Sequence, residues 1–283
     1  MEETSISLEH APCFICVSSV TKKHLISPFG KVVLLCIATF SFNLHAAETF
    51  RVMTYNIHHG EGLDKKSDLP RIAALIKKEK ADIVAFQEVD KGVKRTDGRD
   101  LPAEFAKLTR MTAVFSNNFH FQGGEYGNAI LTRFPVRTRT NLLYEMLHTN
   151  EQRGVLQVTL DVHGKQLYFM DTHVDFHPPE TERLKNVGEL KQLVEAHHDL
   201  PIIVCGDFNS KPDTATYKAM AEILDDSWIL VSKDPGYSFP ADAPNRRIDY
   251  QWVSHGTVIP VRVWVPETEA SDHRPVMVEY KLK

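Results

Sequence analysis

Short apolar runs of strand length alternate along the chain with amphipathic stretches of helix length. Between Leu69 and Ile76, apolar residues recur three and four positions apart, which is the spacing of one buried helix face. Residues 83–86 are instead continuously apolar over a short run, as in a strand that is buried on both faces. The same patterns predict helices over 69–80, 101–108, 180–196 and 214–224, and strands over 49–55, 82–88, 113–116, 129–132, 155–160, 167–172, 201–205, 248–253, 258–264 and 276–280.

Strands outnumber helices in this prediction, and no Ser-, Gly- or Pro-rich linker divides the chain after residue 47. Two sheets packed face to face with helices outside fit this order better than one parallel sheet does. Residues 123–127 are Gly-rich but lack the strand-turn-helix context of a phosphate loop, so they predict a hairpin. A chain of 283 residues, 42% of them hydrophobic, is long enough to bury one large core. We therefore predict a single α/β domain over 48–283.

Residues 1–47 have the layout of a secretory signal peptide. Three lysines precede an apolar run over 32–42, and small residues suited to cleavage follow at 44–47. The run is too short to span a bilayer comfortably, although an uncleaved N-terminal anchor is the alternative. We therefore expect the mature protein to be secreted or periplasmic.

Cysteine content and charge narrow the classes of function. Three of the four cysteines lie in the leader, so Cys205 alone remains in the mature chain and no disulfide can form within it. The net charge is −4, and no run of Lys or Arg indicates a nucleic-acid track. A mildly acidic protein that acts on an anionic substrate needs cations at its site, which a bound metal ion would supply. Nothing in the sequence indicates a stable protein partner, and we expect a monomer.

Polar side chains recur at the points where predicted strands end or begin. They lie at Asn56, at 87–88, at 171–173, at 206–209, at 247–250 and at 271–275. If these points meet at one rim, four carboxylates share a pocket: Glu88, Asp207, Asp249 and Asp272. Such a group cannot stay ionised without a compensating charge, and oxygen ligands favour Mg²⁺, Mn²⁺ or Ca²⁺. The sequence has no HExxH motif and no thiolate cluster, which disfavours zinc at this set.

Seven motifs appear in a fixed order along the chain. They are TYNIHHG (54–60), QEVD (87–90), GNAILTR (127–133), THVD (172–175), GDFN (206–209), RRIDY (246–250) and SDHRPV (271–276). Together they resemble the endonuclease/exonuclease/phosphatase superfamily, whose members are DNase I-like, metal-dependent phosphoesterases. The resemblance implies a four-layer α/β sandwich, in which two mixed sheets pack together and helices flank them. It also implies hydrolysis of phosphate esters.

The resemblance assigns roles to matching residues. The metal, Mg²⁺ or Mn²⁺ as one or two ions, is expected at Asn56, Glu88 and Asp272. The residues expected to be catalytic are His173, Asp207, Asn209, Asp249 and His273. Arg153, Asn209 and His173 are expected to bind the substrate phosphate, and the match of Arg153 is the shortest of these.

Two points about this chemistry stay open in the sequence. Asp207 or His273 could take the proton from the attacking water, although an Asp–His pair such as Asp249–His273 is the more recognisable base. His58 and His59 follow Asn56, but adjacent side chains of an extended chain point apart, so we do not expect both to act as ligands.

The substrate is the least determined part of the prediction. Scattered arginines, with a loose cluster at Arg133, Arg137 and Arg139, give little support to a nuclease. Aromatic residues near 119–126 and 237–239 suit a small or lipid-like group instead. We therefore expect a phosphodiester of a small molecule or a lipid head group. The alternatives are a DNase I-like nuclease acting on DNA or RNA, and an inactive binding module with the same fold.

Overall fold

Each of the two sheets in the structure has six strands, and the sheets pack face to face. The structure is a computed structural model, and it describes residues 48–148 and 151–283. The predicted leader, 1–47, lies outside the described residues, so its export function stays a prediction. No helix in the described part of the chain is long and apolar enough to cross a bilayer.

All predicted helices and strands occur in the predicted order, and the structure adds two strands and one helix that were not predicted. The strands are β1 (Thr49–Asn56), β2 (Ile83–Lys91), β3 (Thr112–Phe121), β4 (Gly124–Thr132), β5 (Val136–Leu143), β6 (Gly154–Val162), β7 (Lys165–His173), β8 (Ile202–Asp207), β9 (Asp225–Asp226), β10 (Asp249–Val253), β11 (Val258–Trp264) and β12 (Val276–Leu282). The helices are α1 (Leu69–Glu79), α2 (Leu101–Thr109), α3 (Thr181–Ala196), α4 (Ala215–Ala221) and α5 (Ser227–Val231). The Gly-rich segment forms the predicted hairpin, between β3 and β4.

Both sheets are mixed. The first sheet has the order β11-β12-β1-β2-β4-β3, and the second has the order β5-β6-β7-β8-β10-β9. The pairs β1–β2 and β7–β8 are parallel, and the pairs around them are antiparallel. Each parallel pair lies at the middle of its sheet, where strands are covered on both faces.

Three layers of apolar side chains lie between the four layers of backbone. In β1, Val52 faces the second sheet and packs between the sheets, whereas Met53 packs on the other face against α1 and α2. In β8, Ile203 belongs to the layer between the sheets and Val204 to the layer beneath α3 and α4. The prediction of two packed mixed sheets with outer helices, the DNase I-like fold, is confirmed.

One buried acid joins the two sheets between their faces. Asp171 of β7 is fully buried, and its Oδ1 accepts a hydrogen bond of 2.6 Å from Nε2 of Gln87 in β2. Burial raises the pKa of Asp171 well above its ordinary 3.8, although hydrogen bonds from Gln87 and Asn128 act in the opposite direction. The carboxyl group therefore keeps its proton to higher pH than an exposed aspartate does.

Because the pKa of Asp171 is raised in the folded protein, the free energy of unfolding decreases as pH rises. Above about pH 4 the unfolded chain ionises Asp171 while the folded chain keeps the proton, so unfolding is favoured as pH rises. The contribution of Asp171 to the free energy of unfolding falls by up to about 1.4 kcal/mol per pH unit until the raised pKa is reached. Asp171→Asn retains an oxygen for Gln87 and cannot ionise. We expect this variant to lose less stability than the wild type between pH 5 and pH 7, measured by urea unfolding.

Asp199→Asn is the control, because Asp199 is exposed near the end of α3. It should leave the wild-type pH slope unchanged. An Asp171→Asn variant with the wild-type slope would show that the buried acid is ionised in the folded state.

Candidate active site

Three catalytic candidates come together because of strand register in the second sheet. Asp207 ends β8, and its partner across the parallel pair is His173, the last residue of β7. On the other side, Asp207 is paired with Asp249, the first residue of β10. Because β8 lies between these two strands, their polar ends meet at one edge of the sheet.

Asn56, at the end of β1, joins this edge to the first sheet. Its Nδ2 donates hydrogen bonds to Glu88 Oε1 at 2.9 Å and to Asp207 Oδ2 at 3.1 Å. Ser271 Oγ donates to the backbone oxygen of Asn56 at 2.8 Å and lies 3.2 Å from Asp272 Oδ1. The three expected metal ligands are thus connected through short hydrogen bonds. Ser271 was not among the predicted residues, although it belongs to the motif SDHRPV.

His273 lies between two buried carboxylates. Its Nδ1 is 3.0 Å from Asp249 Oδ2, and its Nε2 is 3.7 Å from Asp207 Oδ2. Burial alone would lower the pKa of His273, but the charges of Asp249 and Asp207 outweigh it and raise this pKa to about 10. Ser238 Oγ donates a second hydrogen bond to Asp249 Oδ2, at 2.5 Å. Ser238 lies outside every motif, so it could not be predicted from the sequence.

The pKa of the Asp207 carboxyl group is raised as well. Burial and the nearby charge of Asp249 raise its pKa from 3.8 to about 7. His273, the backbone N–H of Asn209 and the Asn56 amide act in the opposite direction. The Asn209 N–H donates to Asp207 Oδ1 at 2.9 Å within the turn that follows β8. Asp207 is therefore a group that can gain or lose a proton near neutral pH.

Arg153 fixes the orientation of His173 from behind. Its guanidinium lies 2.9 Å from His173 Nδ1 and 2.6 Å from Glu151 Oε1, and the side chain is buried. A guanidinium only donates, so Nδ1 accepts and Nε2 carries the ring hydrogen. Burial, with the charges of Arg153 and His273, lowers the pKa of His173 well below 6.5, so the ring is neutral. Its Nε2–H faces Asp207 Oδ2 at 3.6 Å, and the side-chain amide of Asn209 lies beside the same ring nitrogen.

The structure corrects the expectation for His58 and His59. Both residues have positive φ, 44° and 46°, in a short turn after β1, so the chain there is not extended. Their ring centroids are 4.4 Å apart, and both rings lie beside Glu88. Burial, with the charges of Arg95 and His58, lowers the pKa of His59.

These residues border a cavity of about 270 Å³. Of the nine predicted site residues, the cavity is lined by Glu88, Arg153, His173, Asp207, Asn209, Asp272 and His273. Asn56 and Asp249 lie one hydrogen bond behind it. Arg95 and an aromatic group complete the wall: Phe119, Phe121, Tyr126, Phe176 and Phe239. The structure therefore brings all nine predicted residues to one place.

The ligand chemistry fits a divalent cation. Glu88 and Asp272 line the cavity with carboxylate oxygens, and Asn56 lies in hydrogen-bond contact with Glu88. Hard cations such as Mg²⁺ and Mn²⁺ take such oxygen ligands. Ligand atoms of Asp207, Asp249 and His273 lie within 4.8 Å of one another and form a separate group that could hold a metal ion.

The fold and this polar site define the class of protein. The sequence matches the Endonuclease/Exonuclease/phosphatase family over residues 53–273, and the chain belongs to that family. Members of this family are typically hydrolytic phosphoesterases that depend on a divalent metal.

Individual relatives share the fold over most of their length. Uncharacterized protein YbhP of Escherichia coli K12 is 28% identical over 251 residues, which cover 83% of this chain and 97% of that protein. An endonuclease/exonuclease/phosphatase from Beutenbergia cavernae has a TM-score of 0.70 at 24% identity, over 83% of this chain and 72% of that one. A mannosyl-6-phosphatase from Bacteroides thetaiotaomicron has a TM-score of 0.68 at 19% identity, over 82% and 99%. These structural likenesses show the fold.

The pKa of His273 tests the buried Asp–His–Asp arrangement directly. In metal-free protein we expect a pKa of about 10 for His273. Asp249→Asn removes the largest of the charges that raise it, so the pKa should fall by roughly 1 to 3 units. The measurement is a pH titration of the histidine ring resonances by NMR.

Asp199→Asn serves again as the control, since it changes the same charge at an exposed position. An unchanged His273 pKa in Asp249→Asn would mean that the imidazole is not stabilised by that carboxylate.

Proposed function

We propose that this protein hydrolyses phosphate esters with the help of a divalent cation. The observation that supports this most is the arrangement around Asp207, a buried carboxyl group with a pKa of about 7 that faces the cavity beside His173 and His273. A general base works best when its pKa lies near the operating pH. The complete set of family residues at this cavity argues against an inactive binding module.

In this proposal Asp207 is the base. A water molecule attacks phosphorus, a bond forms from the water oxygen to phosphorus, and the ester oxygen departs with its electron pair. The water proton goes to Asp207, which is partly ionised at neutral pH. His273 already holds its proton because its pKa is about 10, so it donates a hydrogen bond to the phosphate rather than accepting a proton.

The remaining donors hold the phosphate group. His173 presents Nε2–H to the cavity, because Arg153 donates to Nδ1 on the other side of the ring. Asn209 and the Arg153 guanidinium supply further N–H groups for the non-bridging oxygens. Donors placed in advance around the developing negative charge lower the barrier.

Asn56, Glu88 and Asp272 would hold the cation, Mg²⁺ or Mn²⁺. When bound, it would polarise a phosphoryl oxygen and stabilise the departing alkoxide. The Asn56 amide fits this role because one hydrogen bond from it orients Glu88 and another orients Asp207.

For the substrate, we propose a phosphodiester of a small molecule or a lipid head group. A cavity of about 270 Å³ walled by aromatic rings suits a compact organic group beside the phosphate. Phe176 is 53% exposed at its mouth, where it can cover such a group. A long nucleic acid needs an extended cationic surface instead, and the nuclease remains the alternative.

Hydrolysis of bis-p-nitrophenyl phosphate tests the reaction. We expect turnover that requires Mg²⁺ or Mn²⁺ and disappears with a chelator. Asp207→Asn and His273→Ala should each lower kcat by roughly 10²- to 10³-fold, because each removes a group that acts in the transition state.

Asp171→Asn is the matched control: a buried carboxyl group one strand away that does not line the cavity. It should keep wild-type kcat. Metal-independent turnover, or full activity in Asp207→Asn, would contradict the proposed reaction.

A comparison of substrates tests the proposed substrate class. We expect p-nitrophenyl phosphorylcholine and sphingomyelin vesicles to be better substrates than plasmid DNA. Phe176→Ala should raise KM for the small diester by roughly 3- to 10-fold with little change in kcat, since an exposed aromatic contact contributes about 1 kcal/mol to binding.

Leu230→Ala is the control, because Leu230 is similarly exposed, at 54%, and lies outside the cavity. Plasmid cleavage faster than diester hydrolysis would support the nuclease alternative.

A further inference from the structure

Two adjacent histidines turn towards the same point at the end of β1. His58 and His59 both have left-handed backbone conformations, with φ of 44° and 46°. This conformation places their ring centroids 4.4 Å apart, on the same side of the chain. The Asn56 side chain helps to hold the turn, since its Oδ1 accepts the backbone N–H of His58 at 3.1 Å.

Glu88 reaches this point from the neighbouring strand. It lies in an irregularity of the β2–β4 pairing, between Phe86 and Val89, and its φ is 60°. One ligand atom from each of His58, His59 and Glu88 lies within 4.8 Å of the other two. Since bonds from nitrogen and oxygen to Zn²⁺ are about 2.0–2.2 Å, a small inward movement would let all three bind one ion.

The unfavourable backbone conformations of these three residues indicate a functional role. The left-handed region is unfavourable for a non-Gly residue, and such residues concentrate at functional sites. Three of the ten positive-φ non-Gly residues in the described part of the chain are the three that converge here.

His59 also has an atom without a partner. Its Nδ1 is buried and makes no hydrogen bond within 48–148 and 151–283. On the other side of the ring, Nε2 lies 3.9 Å from Glu61 Oε2. A carboxylate on that side favours the ring hydrogen on Nε2 and leaves the lone pair on Nδ1, as is usual for a histidine that binds metal.

The nearby positive charge does not oppose a cation. Arg95 lies close to this cluster, but its guanidinium donates two hydrogen bonds to the buried carboxylate of Asp90, at 2.8 and 2.9 Å. The pair is neutral as a unit.

We infer that His58, His59 and Glu88 form a second metal site, one that takes a transition-metal ion such as Zn²⁺ or Co²⁺. Two imidazoles and one carboxylate suit these ions, whereas Mg²⁺ prefers oxygen ligands alone. Glu88 faces both this site and the oxygen-ligand set at Asn56 and Asp272. The inference concerns metal binding and holds whether or not the protein hydrolyses phosphate esters.

Co²⁺ is the probe, because its visible absorption reports nitrogen ligation without any activity assay. Metal-free, full-length protein is titrated with Co²⁺, and Zn²⁺ is then added as a competitor. We expect a visible band that Zn²⁺ abolishes and that excess Mg²⁺ leaves in place. His58→Asn and His59→Asn should each weaken Co²⁺ binding at least tenfold. Asn is chosen because it tolerates the left-handed conformation better than most residues.

His163→Asn is the matched control. His163 also has a positive φ, 52°, but it lies in the β6–β7 turn and does not line the cavity. It should bind Co²⁺ as the wild type does. Equal Co²⁺ affinity and equal spectra in wild type, His58→Asn and His59→Asn would overturn the inference.

A second measurement needs no variant. Bound Co²⁺ strongly shifts the ring protons of coordinated histidines in the NMR spectrum of the wild-type protein. Two shifted imidazole rings would support the site, and the absence of any shifted imidazole at saturating Co²⁺ would refute it.

Discussion

The site depends on a buried negative charge that both sheets share. Asp207 belongs to the second sheet, but its Oδ2 accepts a hydrogen bond from Asn56 of the first sheet. His273, which leads into β12 of the first sheet, bonds Asp249 of the second. A carboxylate removed from water is costly unless such partners are close. The packing of the two sheets is therefore what makes this charge tolerable, and a shift of one sheet against the other would disrupt the site.

Much of this was predictable, because strand periodicity and motif order are properties of the sequence alone. The central strands β2 and β8 contain continuous apolar runs, so their position in the chain and their burial could be predicted together. The edge strand β5 was not predicted. Its residues are mostly exposed and include alternating arginines and threonines, so the sequence lacks the apolar pattern of a strand. The short elements β9 and α5 were missed as well, since a few residues carry no periodicity.

Within the site, the identity of the residues that meet was more predictable than the direction in which their side chains point. The sequence indicated that Asn56, Asp207 and His273 would meet, because each stands at a strand end within a motif. It could not indicate the direction of His58 and His59, which depends on two φ angles in the left-handed region. Ser238 could not be predicted, for a different reason. It lies in a loop without a motif, and its contact with Asp249 exists only once that loop folds over β10.

The charge balance of the cavity favours the binding of a cation. Arg153 is paired with Glu151, Arg95 with Asp90, and His273 with Asp249. Each of these cations in the cavity wall already has its own carboxylate. Glu88 and Asp272 have no such partner among the described residues, and a phosphate ester would add further negative charge beside them. A bound divalent cation, as in the proposed function, would offset this excess of negative charge.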